Sequence, residues 1–165
     1  MSDNKASANL NGALRPMPMT LVSCRYNGED NALAIGYCTN CSFDPPMIMI
    51  GITPGRYSHK MVKESGCFVL NLPENDLREA FDYLGSKSRA NEDKLKVKNV
   101  KTENAKTVDA PILSDCPVNI ECTVVNSVMA GSHEIFFGKV EYVHVRKDLL
   151  MEDGRIDFAK LDLLK

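Results

Sequence analysis

Two long stretches with β-strand character follow one another near the end of the chain. "VNIECTVVNSVMA" and "HEIFFGKVEYVHVRK" are joined through "AGSHE", which carries the turn residues of a hairpin. A hairpin this long commits its part of the chain to an antiparallel sheet, and the remaining segments have to fit around it. Upstream, "MTLVSCRYNGED" reads as a strand ending in an Asn-Gly turn, with "NALAIGYC" returning as its partner. "MIMIGIT" is a short continuous apolar run, as expected of a buried strand, and "CFVLNLP" is rich in β-formers and closed by Pro73. "TNCSFDPP" reads as a loop, because Pro45 and Pro46 cannot donate to a central ladder.

Two segments have helical signals. "SHKMVKESG" offers Ser58 as N-cap and Gly66 as stop. "ENDLREAFDYLGS" places Leu77, Ala80, Phe81 and Leu84 on one face, with Asn75 or Asp76 to cap it and Gly85 to end it. "KSRANEDKLKVKNVKTENAKTVDAP" reads as a long irregular excursion. Six or seven strands, two short helices and little βαβ rhythm predict a mostly antiparallel sheet closed into a barrel, with helices packed outside. Residues 1–12 read as a polar tail, and residues 13–165 as one domain.

Composition narrows the functional classes. The net charge is -2, from 20 basic and 22 acidic side chains, whereas a general nucleic-acid binder shows a basic excess. The first residues contain no apolar signal core, and runs such as "MIMIGI" are far too short to span a bilayer. The expected location is cytoplasmic, with the six cysteines as thiols.

Cys38 and Cys41 form a CxxC, but a structural zinc site needs four ligands and no second pair has that spacing. A thioredoxin-type dithiol sits at the start of a helix in a βαβ unit, which this pair does not. Ordinary thiols are the simpler reading, and Cys24, Cys67 and Cys122 read as core residues. Nucleotide-binding glycine loops and a nucleophile elbow are absent. Of the three histidines, His59 reads as a solvated helix-start residue and His144 as an exposed strand position. His133 is placed at a hairpin tip, where binding groups tend to be. Two polar clusters remain: "GRYS" around Arg56 and Ser58 at a helix start, and "GSKSR" with Lys87, Ser88 and Arg89 just past a helix end. With the hydroxyl-rich "TNCS", they could hold a phosphate joined to a polar ring system.

The order "RPMPMTLVSC", "NALAIGYCTNCSFDPPMIMIGITPGRYSHKMVKESGCFVLNLP", "GSKSRANEDKL", "APILSDCPVNIEC" and "GSHEIFFGKV" resembles the flavin reductase-like family, closest to its flavoredoxin-type members. The resemblance covers residue 14 to the C-terminus. It implies a six-stranded antiparallel Greek-key split barrel with flanking short helices, working as a homodimer with FMN near the subunit interface. It further implies that Tyr37, Cys38, Thr39, Asn40, Cys41 and Ser42 run along the flavin. Arg56, Tyr57 and Ser58, with Lys87, Ser88 and Arg89, correspond to the phosphate end. Asn71 matches a supporting asparagine, and His133 the histidine near the flavin and nicotinamide. This chain departs from the family pattern at Ala34 and Gly36, at Ala90 and Asn91, and at Ser132. The implied activity is an FMN-dependent oxidoreductase fed by NAD(P)H. The alternative is an FMN electron carrier reduced by a redox protein, and a third is a thiol or metal protein centred on Cys38 and Cys41.

Overall fold

The computed structural model describes residue 4 and residues 6–165, so residues 1–3 and 5 of the expected tail lie outside the described residues. The first strand, β1 (Thr20–Tyr26), turns through Asn27 and Gly28, both at positive φ (51° and 75°), into β2 (Glu29–Ile35). Two consecutive left-handed residues match the right-handed twist of a strand pair, which is why Asn-Gly serves here. Then come β3 (Cys38–Phe43), β4 (Pro46–Ile52), helix α1 (Tyr57–Ser65), β5 (Cys67–Leu72), α2 (Arg78–Ser86) and the short α3 (Lys94–Val97). A small hairpin of β6 (Thr102–Asn104) and β7 (Pro111–Leu113) precedes the long β8 (Val118–Ala130) and β9 (His133–Val145).

Seven strands form one antiparallel sheet in the order β2-β1-β5-β8-β9-β4-β3, with β6–β7 as a separate pair. This corrects the expected closed six-stranded barrel: β2 and β3 end the ladder without hydrogen bonding to each other. The additional strand is the "TNCSFD" segment expected to be a loop. Its register slips between Asn40 and Ser42, and Phe43 pairs with Pro46. Asp44 and Pro45 thus make the turn and Pro46 begins β4, so neither proline interrupts a central ladder.

The sheet is covered on both sides, so β1 is buried continuously from Thr20 to Cys24 rather than at alternate residues. Val22, Leu33, Ile50, Phe68 and Phe136 share the inner cluster with Met61 and Val62 of α1. Leu21, Ala32, Phe81, Leu84 and Leu95 form the outer cluster under α2 and α3. Gly85 does not end α2. It lies inside the helix, where an added Cβ would come within 2.8 Å of Ala34 Cβ, so it permits close packing of α2 on β2. Gly66 does close α1, at φ 70° with its N–H on Val62 O. No helix among the described residues is long and apolar enough to cross a membrane.

Candidate functional site

The open end of the sheet is where the polar clusters meet. Where β2 and β4 run out, a cavity of about 200 Å³ is lined by Leu33, Gly36, Tyr37, Thr53, Arg56 and His133, among others. It adjoins a second cavity of about 120 Å³ between β2, the start of α1 and the end of α2. Arg56 lines both. The second cavity brings Arg56, Tyr57 and Ser58 together with Lys87, Ser88 and Arg89, as expected of the two loops.

The charge in the second cavity is concentrated at its rim and floor. Arg56 and Lys87 form no salt bridge among the described residues. Arg89 is partly committed, with Nη2 3.6 Å from Glu29 Oε1 and Nε donating to Asp30 O at 3.4 Å. Tyr57 donates its hydroxyl to Glu29 Oε2 at 2.9 Å. The N-cap of α1 is Arg56, which supplies no side-chain cap, so the first turn keeps N–H groups available to an anion. Ser58 is therefore not the cap. It lies buried inside α1 and accepts from Asn31 Nδ2 at 2.7 Å.

Two residues that the sequence reading missed form the cavity floor. Lys94 is 2% exposed, and its one hydrogen-bond partner among the described residues is Leu84 O at 2.8 Å. Burial lowers its pKa to about 8. Asn31 is also buried, and its Oδ1 has no hydrogen-bond partner. An ammonium with unused donors beside an orphaned amide is an arrangement that a polar ligand completes. One signal for Asn31 was available: it alternates with Leu33 and Ile35, so a polar side chain sits at a core-facing position. Nothing in "NEDKL" distinguishes Lys94 from a solvated lysine.

In the first cavity, the His133 ring meets Tyr37 edge-on at 4.9 Å and 74°. Nε2 of His133 is 3.3 Å from Thr53 Oγ1, and Nδ1 is 2.9 Å from Ser132 Oγ. These contacts hold an imidazole at the cavity mouth, where it can exchange a proton with a bound group.

Several expected site residues fall elsewhere. Thr39, Asn40, Cys41 and Ser42 lie along edge strand β3, outside both cavities. Cys38 is buried with its sulfur 3.4 Å from Thr20 Oγ1, and desolvation raises its thiol pKa. Cys41 is exposed at the bulge, so the pair does not share an environment. Asn71 is wholly buried in the sheet, donating to Ser23 Oγ and accepting from Leu113 N and Asn119 Nδ2, away from both cavities. His59 is not solvated: it is 9% exposed and bonds Glu134 Oε2 at 2.6 Å. His144 likewise bonds Glu121 Oε1 at 2.6 Å rather than standing free.

This geometry matches known proteins. The family model described as flavin reductase like domain matches residues 13–160. An uncharacterised protein of Archaeoglobus fulgidus is 31% identical over 129 residues, covering 78% of this chain and 72% of the relative. Flavoredoxin of Desulfovibrio vulgaris (Miyazaki F) superposes with a TM-score of 0.88 at 27% identity, covering 94% of this chain and 84% of that one. The FMN-binding protein from Thermus thermophilus gives 0.81 at 25% identity, covering 94% and 86%. A protein with a split barrel domain from Shewanella frigidimarina superposes with a TM-score of 0.82 at 17% identity, covering 89% of this chain and 76% of that one, so the fold is of the split-barrel kind. The chain belongs to the flavin reductase-like family.

Proposed function

We propose that this protein is an FMN-dependent oxidoreductase whose flavin lies across the two adjoining cavities, phosphate inward between α1 and α2 and ring toward Tyr37 and His133. The observation that carries this reading is the buried Lys94–Asn31 floor beneath Arg56 and Lys87. Family membership and the FMN-binding relatives support FMN as the cofactor. Bound FMN supplies the redox-active ring; the protein orients it, excludes water and sets the charge around it. Arg56, Lys87, Lys94 and the first turn of α1 would hold the phosphate. Leu33, Ala34 and Met17 offer apolar contact for the ring, and His133 holds or passes a proton at Nε2.

In this reading NAD(P)H is the electron donor and a flavin or other acceptor takes the electrons. A flavoredoxin-like carrier reduced by a protein partner is the second reading, favoured by the likeness to flavoredoxin. A homodimer is proposed with it. Tyr37 (48% exposed) and Phe43 (100% exposed) stand at opposite ends of edge strand β3 and offer apolar surface to a second subunit. The deciding experiment is anaerobic addition of NADH and then NADPH to FMN-loaded protein, followed by absorbance. Bleaching by either nicotinamide supports the reductase. A flavin that stays oxidised contradicts it in favour of the carrier.

A further inference from the structure

Glu134 is a buried carboxylate that lines neither cavity of the candidate site. It is 5% exposed on β9, and three side chains converge on it. His59 Nε2 lies 2.6 Å from Oε2, and Lys63 Nζ donates to both oxygens at 3.1 Å. Ser127 donates its hydroxyl to Oε1 at 2.7 Å. The Ser127 hydroxyl, with Lys63 and His59, holds the carboxyl well below the usual carboxylate range, so it is ionised at neutral pH. An ionised carboxylate only accepts, which puts a proton on His59 Nε2. Charge-assisted bonds of this kind are shorter and stronger than neutral ones, and a carboxylate saturated by them fixes its neighbours.

The place of this network gives it a role beyond stability. The ladder ends at β2 and β3, so no backbone pairing joins β2 directly to β9 or β4. The first turn of α1 spans that gap. Tyr57 and Ser58 bond Glu29 and Asn31 of β2 at 2.9 and 2.7 Å, and the next residue, His59, bonds Glu134 of β9. Three consecutive residues thus tie one helix start to both sides. The rest of α1 packs mainly on β1, and its far end is tied where Val124 N donates to Gly66 O at 2.8 Å.

The two halves of the candidate site depend on the same tie. Arg56, the N-cap of α1, belongs to the phosphate end. His133 belongs to the ring end and directly precedes Glu134 in β9. Successive strand residues point to opposite faces, so Glu134 meets α1 while His133 meets Tyr37 and Thr53. A ligand with a phosphate at one end and a ring at the other gains from both contacts only when their spacing fits. The second contact then forms at high effective concentration.

We propose that Glu134 is a positioning residue that fixes, through His59 and Lys63, the spacing between the phosphate-holding start of α1 and the hairpin that carries His133. The inference rests on the flavin reading for the ligand that this spacing serves.

The test uses the full chain and the variants Glu134→Gln, Lys63→Gln, Lys63→Arg and Ser127→Ala. The Lys63 side chain is 53% exposed, so its variants are expected to fold even if Glu134→Gln does not. FMN and riboflavin are titrated by fluorescence quenching, and amide hydrogen exchange is followed on the ligand-free protein. Wild type is expected to prefer FMN over riboflavin by at least about 100-fold. Glu134→Gln should cut that preference about tenfold while riboflavin affinity stays within about twofold. Lys63→Gln and Ser127→Ala should cut it about threefold, and Lys63→Arg should keep it. Exchange in Glu134→Gln should quicken about tenfold at residues 56–63 and 127–134 and stay unchanged in β1 and β5. Variants that keep the wild-type preference overturn the proposal. So do variants that weaken both flavins alike and quicken exchange everywhere, because that is general loosening. A wild type without the preference contradicts the flavin reading instead, and the exchange data then decide alone. Quickening confined to the two segments upholds the tie between α1 and the hairpin, and unchanged exchange overturns it.

Discussion

Replacing Lys94 with methionine should make the protein more stable and a poorer flavin binder. In the ligand-free chain the ammonium is buried with one carbonyl as partner, and burial lowers its pKa from 10.5 to about 8. At about 1.36 kcal/mol per pKa unit, that difference costs the folded state roughly 3 kcal/mol while the lysine is charged. The sign follows from proton counts. Between pH 8 and 10.5 the unfolded chain holds the proton that the folded chain has lost, so stability rises with pH across this window. Below about pH 8 the full cost applies. Methionine fills a similar volume without the charge but loses the bond to Leu84 O, worth about 1 kcal/mol. The net gain at pH 7 is about 2 kcal/mol, or a Tm rise of about 4–8 °C for a chain of this size. It should shrink toward pH 10.5. Loss of one charge-assisted contact should weaken FMN by about 1.5–3 kcal/mol, or roughly 10- to 150-fold. The assay is thermal unfolding at pH 7 and pH 10, with FMN titration by fluorescence quenching. A lower Tm at pH 7, or unchanged FMN affinity, would refute the argument that this lysine is held at a stability cost for the ligand.

Other outcomes follow from the same structure. The double variant Arg56→Ala/Lys87→Ala should weaken FMN by at least about tenfold while leaving riboflavin affinity nearly unchanged, since only the phosphate contacts are lost. His133→Ala should slow flavin reduction in stopped-flow measurements more than it weakens FMN binding; equal rates would remove His133 from the chemistry. Gly138→Ala would bring a Cβ within 2.6 Å of Phe68 Cζ and 2.8 Å of Cys122 Cβ, so it should destabilise by about 1–3 kcal/mol in urea unfolding. The hydrogen bond from Ser127, with those from Lys63 and His59, outweighs burial and holds Glu134 at about 2. Its folded pKa lies below 4.5, so its contribution is complete above about pH 4.5 and is lost as pH falls toward 2. Glu134→Gln should flatten that acid limb of the stability profile.

The parts of the fold that were legible in the sequence are those fixed by local chemistry. Asn27–Gly28 announces its hairpin, Gly66 its helix end, and the turn residues of "AGSHE" the longest pair of strands. Strand β3 escaped because two prolines mask a strand whose bulge and turn absorb them. Long-range pairing was invisible. His59 and Glu134 lie 75 residues apart, and neither sequence neighbourhood hints at a buried hydrogen bond between them. The same limit applied to the candidate site. Arg56 and Lys87–Arg89 were legible as anion-binding residue types beside helix ends, and the fold joins them. Lys94 looked like any lysine in a polar run, and its role depends on α3 packing against β2 and α2. Asn71 carried the right residue type at a wrong depth, because its amide is consumed by the backbone of three strands.

The central claim is that the buried floor and its ring of cations bind a flavin through its phosphate. The measurement that tests it most directly is a pair of titrations on the ligand-free protein, one with FMN and one with riboflavin. The account predicts FMN binding at least about 100-fold tighter than riboflavin, as two or more charge-assisted contacts require. Equal affinities, or no binding of either flavin, would contradict it.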